Sequence, residues 1–232
     1  MKKHNFSAGP SVLNQKVLQK ASKAVIELDD TGLSILEISH RSKNFNSIIT
    51  QAKLLLRELM HIPKEYEILF LQGGASLQFY MSALNFTTKN GTCGYVDTGT
   101  WSSKAIKEAE RISKTSIIAS SKDKNYNYIP KIDFINSKLD YIHFTSNNTI
   151  YGTQFHTFPS KKDIGQKNTS IICDMSSDIL SRQFDINYFD LIYAGAQKNI
   201  GPAGTTIIIV KKDKIIHNNL PTYLSYNNHI NK

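Results

Sequence analysis

Seven short apolar runs, at residues 67–72, 92–97, 115–119, 139–144, 170–174, 189–194 and 205–210, constrain this chain more than any other feature. Most are nearly continuous in Ile, Val, Leu, Phe and Tyr instead of alternating with polar residues. An alternating run has one wet face, whereas a continuous one predicts a strand covered on both faces, as in a parallel sheet. Helix-length segments such as 76–86 and 101–112 separate several of the runs and suit βα crossovers, so the expected class is α/β. Ahead of the strands, Val17, Leu18, Ala21, Val25 and Leu28 recur at helical spacing through about Asp30, with Ser11 as the expected cap. Phe45 to Met60 reads as a second amphipathic helix closed before Pro63, and Ser120 to Pro130 reads as a loop.

Composition narrows the classes of function. The 232 residues, 40% hydrophobic and 20% charged, suit one large domain or one domain plus a fragment of another. A net charge of +9 raises the question of nucleic acid. The lysines are scattered or paired, as at Lys161-Lys162 and Lys211-Lys212, with no long basic run and no recognisable nucleic-acid motif, so no nucleic-acid partner is expected. Cys93 and Cys173 both lie in apolar strand-like runs and read as buried thiols of a reducing compartment. No apolar stretch approaches a membrane span, and the N-terminus lacks the apolar core of a signal peptide; the expected location is cytoplasmic.

In an open α/β sheet, ligands bind outside the carboxyl ends of the strands, so chemistry is sought just after each run. Gln72-Gly73-Gly74-Ala75-Ser76 follows the first and opens a helix, where free amides attract phosphate; a bare turn is the plainer reading. The second is followed by Asp97-Thr-Gly-Thr-Trp101, whose tryptophan can stack on a flat ring or simply fill the core. After the fourth comes Thr145-Ser-Asn-Asn-Thr149-Ile-Tyr-Gly152, with Thr149 able to bond a cofactor oxygen or only its own turn. The fifth ends in Cys173-Asp174, a carboxylate that caps a helix or pairs with a pyridinium. The sixth leads into Gln197-Lys198, a lysine in a glycine-rich turn where partial burial makes an amine nucleophilic. Earlier, His40-Arg41 sits in a short polar segment, a solvated pair or a grip for carboxylate or phosphate. A lysine to form an imine and an aspartate to hold a pyridine nitrogen protonated are what pyridoxal phosphate asks of a protein.

The same residues resemble a known family. Asn5-Phe-Ser-Ala-Gly-Pro10, Glu37-Ile-Ser-His-Arg-Ser42, Leu69-Phe-Leu-Gln-Gly-Gly-Ala-Ser76, Thr98-Gly-Thr-Trp101, Asn148-Thr-Ile-Tyr-Gly152, Asp174-Met-Ser-Ser177 with Ser181-Arg182, and Tyr193-Ala-Gly-Ala-Gln-Lys-Asn-Ile-Gly-Pro-Ala-Gly204 occur in the order found in the phosphoserine aminotransferase family of fold-type-I pyridoxal-phosphate enzymes. The resemblance covers essentially the whole chain, and its last segment is the most specific. It implies a three-layer αβα sandwich around a mostly parallel seven-stranded sheet, the large domain of that fold. It also implies an N-terminal segment over 1–15, a cofactor-binding domain over 16–232, and a small C-terminal domain largely missing after Lys232. By resemblance Lys198 is the Schiff-base lysine and proton carrier, Asp174 the partner of the pyridinium, and Trp101 the stacking ring. Ala75 and Ser76 hold the cofactor phosphate with help from Gln197, Thr149 meets the phenolic oxygen, and Arg41 with His40 binds substrate carboxylate or phosphate. No metal is implied. The implied reaction passes an amino group from L-glutamate to 3-phosphohydroxypyruvate in a homodimer, in serine and in many bacteria pyridoxine synthesis. The alternative is a truncated, non-catalytic domain that binds the cofactor or a partner.

Overall fold

The apolar runs form one seven-stranded sheet in the computed structural model, which describes residues 3–216 and 219–231. In chain order the strands are β1 (Tyr66–Leu71), β2 (Thr92–Asp97), β3 (Lys114–Ser120), β4 (Tyr141–Thr145), a separate ribbon of β5 (Asn147–Asn148) with β6 (Thr153–Gln154), then β7 (Ser170–Asp174), β8 (Leu191–Gly195) and β9 (Thr206–Lys211). The sheet order is β1-β9-β8-β7-β4-β2-β3. Strands β3, β2, β4, β7 and β8 run parallel, and β9 is antiparallel to both β8 and β1. The reversal has a simple cause: residues 196–205 are fewer than the dozen or so a parallel crossover needs, so the chain turns back as a hairpin.

The chain divides into two compact units, Met1–Pro63 and Lys64–Lys232. In the second, α3 (Gly74–Phe86) and α4 (Thr100–Ala109) pack on one face of the sheet, over Leu69, Tyr95, Tyr141, Ile172, Tyr193 and Ile208. Side chains alternate along a strand, so Phe144 points to the opposite face. There it meets Phe155 and Phe158 edge-on, at 5.5 and 5.4 Å between ring centroids, and Phe158 meets Phe189 at 5.0 Å. These rings come from long connections, not helices, and they explain why strands buried on both faces read as unbroken apolar runs. Cys93 and Cys173 are buried free thiols.

The stretch after β9 reads as a polar tail, yet it docks. A short α5 (Tyr226–Ile230) puts Tyr226 fully into the α3 side of the core, its hydroxyl 2.6 Å from Gln78 Oε1. Buried Asn85 fastens it: Nδ2 donates to Met81 O (2.9 Å) and Leu224 O (2.7 Å), and Oδ1 accepts from Tyr226 N (2.9 Å). Asn85→Ala orphans these buried groups, and a cost of about 2–3 kcal/mol is expected in denaturant unfolding. A loss below about 0.5 kcal/mol would contradict the anchoring role.

In the first unit, α1 (Gln15–Ile26) is capped by Asn14, whose side chain accepts from Lys16 N at 2.9 Å, not by the expected Ser11. It stops at Ile26 instead of about Asp30, because Glu27 is already extended (φ −154°, ψ 130°), and Asp29 and Asp30 then take positive φ of 43° and 56°. None of its residues is buried. α2 (Lys43–Met60) begins two residues before the expected Phe45, capped by Ser42, and ends on His61 in the left-handed conformation ahead of Pro63. Among the described residues no helix is long and apolar enough to cross a membrane.

Candidate active site

The site is assembled from the ends of β1, β2, β7 and β8 on one edge of the sheet, with the β5–β6 ribbon beside them. After β1, Gly73 turns the chain into α3 at φ +90°, where a Cβ would lie 2.4 Å from Leu77 Cδ2. Only glycine fits, and as the residue before the helix it brings no side chain to occupy the first amides. Those amides lack intrahelical acceptors, so the turn at Gly74, Ala75 and Ser76 presents donors and the positive end of a 13-residue helix to an anion.

After β2, Asp97 organises the entry to α4. Its Oδ1 accepts from Ser102 Oγ (2.9 Å) and Ser103 Oγ (2.8 Å), its Oδ2 from Tyr126 OH (3.0 Å), and Ser102 Oγ in turn accepts from Thr98 N (2.9 Å) and Gly99 N (3.0 Å). Asn148, at the end of β5, closes over this turn: Nδ2 donates to Thr98 Oγ1 at 2.7 Å and Oδ1 accepts from Trp101 N at 3.4 Å. A side chain on Gly99 would strike that amide oxygen at 2.7 Å. Trp101 is thus set by its backbone, and its buried Nε1 has no partner among the described residues.

The centre lies between β7 and β8. Asp174, 5% exposed at the end of β7, is paired in register with Tyr193 of β8. Its Oδ1 accepts from Ser176 N (3.0 Å) and Ser176 Oγ (2.6 Å); no hydrogen bond reaches Oδ2 among the described residues. Burial pushes this carboxyl above the usual carboxylate range, offset in part by Ser176 and by the charge of Lys198. Gly195 N donates to Ser176 Oγ at 3.0 Å, and the Gln197 side chain folds back into the space a Cβ on Gly195 would fill, 2.8 Å away at Oε1. Lys198 follows. Its Nζ stands 4.8 Å from the Trp101 ring centroid and donates to Thr149 Oγ1 (2.5 Å) and Ser177 Oγ (3.2 Å). Burial lowers its pKa from the usual lysine value, against the opposing pull of Asp174.

Seven residues expected from sequence therefore share this edge: Ala75, Ser76, Trp101, Thr149, Asp174, Gln197 and Lys198. His40 and Arg41 belong to the first unit, where both are exposed on the turn ahead of α2. Sequence reasoning did not single out Asn148, Ser176 and Ser177, although all three lie inside the motifs that carried the resemblance. The arrangement suits a flat heteroaromatic ring. Its basic nitrogen would meet a buried carboxylate with one oxygen free of donors among the described residues, its face the indole, its anionic tail the start of α3, and an electrophilic carbonyl carbon the amine of Lys198.

Comparison with known proteins bears on this chemistry. The class-V aminotransferase family model matches residues 3–224. The chain is 54% identical over 233 residues to a phosphoserine aminotransferase of Flavobacterium johnsoniae, a match that covers 99% of this chain and 64% of that relative. A solved phosphoserine aminotransferase, studied for radiation damage of its Schiff base, superposes with a TM-score of 0.92 at 49% identity over 98% of this chain and 63% of its own. A pyridoxal-phosphate-bound phosphoserine aminotransferase from Trichomonas vaginalis superposes at 0.89 with 30% identity, over 99% of this chain and 64% of that one. The chain thus spans somewhat under two thirds of the length of the relatives it matches.

Proposed function

This chain belongs to the class-V aminotransferases, and on that premise we propose that it binds pyridoxal phosphate on Lys198 and transfers an amino group between L-glutamate and 3-phosphohydroxypyruvate. The observation that carries the reading is the approach of Lys198 and Asp174 at one sheet edge, with Trp101 4.8 Å from the amine. Bound there, pyridoxal phosphate supplies an aldehyde that condenses with amines and a ring that accepts the electron pair of a carbanion. Every other task falls to the protein's own side chains.

Asp174 would keep the ring nitrogen protonated, gaining in return a cation that offsets its costly burial. Trp101 would cover one face of the ring and keep water from it. The amides of Ala75 and Ser76, with the Ser76 hydroxyl and Gln197, would take the phosphate. Thr149 would meet the phenolic oxygen. Lys198 Nζ, lowered in basicity by burial, would hold the cofactor through its aldehyde and would serve as the base that moves the proton of the substrate α-carbon. The resemblance gives Arg41 the role of binding a substrate carboxylate or phosphate, which a planar fork of donors suits, with His40 adding one more donor. The α1 stripe of Val17, Leu18, Val25 and Ile26, exposed here, would be covered in a homodimer, and the setting would be cytoplasmic.

The test is spectroscopic. Purified chain mixed with pyridoxal phosphate is expected to gain a protein-bound visible band, and L-glutamate is expected to bleach it as the amino group is taken up. Absence of any band would contradict the reading. A band indifferent to glutamate would favour the other reading, a domain that holds the cofactor without catalysis.

A further inference from the structure

Two hydroxyls and an indole stand against the Lys198 amine. Nζ donates to Thr149 Oγ1 at 2.5 Å and to Ser177 Oγ at 3.2 Å, and the two hydroxyl oxygens lie 2.6 Å apart, closing a triangle. Ser177 stands three residues after Asp174, in the turn that follows β7 and whose other serine, Ser176, holds the Asp174 carboxylate. One short turn therefore sets both the acid and the amine. Thr149 has a prior assignment, the phenolic oxygen of the cofactor; Ser177 has none.

Resting on the proposed cofactor reading, we infer that Ser177 is a positioning residue for Lys198: its hydroxyl is the acceptor that holds the amine toward the Trp101 face when Thr149 is engaged elsewhere. The chemistry favours a hydroxyl here. An amine that alternates between ammonium and free base needs a partner that can accept from the first and donate to the second, and a hydroxyl does both. A carboxylate in the same place would fix the ammonium and remove the nucleophile. Of the charged groups near the amine, Asp174 acts on it through space, and Lys104 of α4 also lies 4.8 Å from the Trp101 ring centroid. Asp178, next in the chain, is taken up instead by Ser146, Gln154 Nε2 (3.0 Å) and Arg182 (3.7 Å).

The experiment uses the full chain freed of cofactor, so that its outcome is independent of whether pyridoxal phosphate binds. Trace acetylation with acetic anhydride across a pH series, read by mass spectrometry at the Lys198 peptide, reports the midpoint at which the amine loses its proton. Removing an acceptor destabilises the ammonium, so Ser177→Ala is expected to move that midpoint down by about 0.5–1 pH unit. Ser177→Thr, which restores a hydroxyl, is expected to return it to the wild-type position. Ser177 is only half-buried, and Ser177→Cys, with its weak sulfur acceptor, supplies a second variant of similar size with a shift in the same direction. An unchanged or raised midpoint in Ser177→Ala, or equal shifts in the Ala and Thr variants, overturns the inference. The cofactor reading fails separately, by absence of the visible band.

Discussion

Replacing Asp174 by asparagine is expected to weaken the hold on pyridoxal phosphate by about 10²–10³-fold while leaving the cofactor-free chain at least as stable at neutral pH. The two halves of this result have one cause. A carboxylate buried without a cation is a burden on the fold, and its raised pKa expresses that burden. As pH climbs past the ordinary 3.8, the unfolded chain releases this proton before the folded one does, so the group's contribution to stability falls until pH passes the raised folded value and is constant above it. Asparagine keeps an oxygen for Ser176 N and Ser176 Oγ and carries no charge, so the burden disappears. Once the pyridine nitrogen is in place the ledger reverses: the carboxylate has its counter-charge, and asparagine has nothing equivalent. Absorbance titration with the cofactor and denaturant melts of the free chain at neutral pH check the two halves. Unchanged affinity, or a variant less stable than wild type at neutral pH, would contradict this account of Asp174.

Lys198→Ala is expected to have the larger chemical effect. The visible band should vanish, dialysis should strip the cofactor, and any single-turnover conversion by glutamate should fall by about 10⁴-fold, the upper range for loss of a positioned acid–base group. Thr149 and Ser177 lose their ligand but keep each other at 2.6 Å, so the fold should be unaffected. Retention of the band in this variant would place the attachment elsewhere.

Much of the scaffold was legible because burial on both faces leaves a plain mark. The strand runs predicted at 92–97 and 170–174 match β2 and β7 residue for residue, and the others differ only at their ends. The antiparallel course of β9 was not legible, since an apolar run carries no direction; the short 196–205 link decides it. Nor was the ribbon of β5 and β6, two residues per strand, too short for any periodicity. The tail misled for a related reason. Ser225-Tyr-Asn-Asn-His is polar on average, but one tyrosine points into the core with Gln78 and Asn85 ready for its hydroxyl and amide. At the N-terminus, Ser11 and Asn14 both have capping chemistry, and only the first turn itself chooses between them. The site followed the same logic. Glycines, a tryptophan, an aspartate and a lysine at strand ends stand out by type, whereas Ser177 and Asn148 act through geometry that one-dimensional spacing does not display.

The central claim is that one amine and one buried acid meet on one cofactor. Borohydride reduction of the chain equilibrated with pyridoxal phosphate, followed by proteolysis and mass spectrometry, tests it most directly. The account predicts a single modified peptide, bearing the cofactor on Lys198, with its yield sharply reduced in Asp174→Asn. Label scattered over surface lysines, or a Lys198 yield indifferent to Asp174, would contradict it.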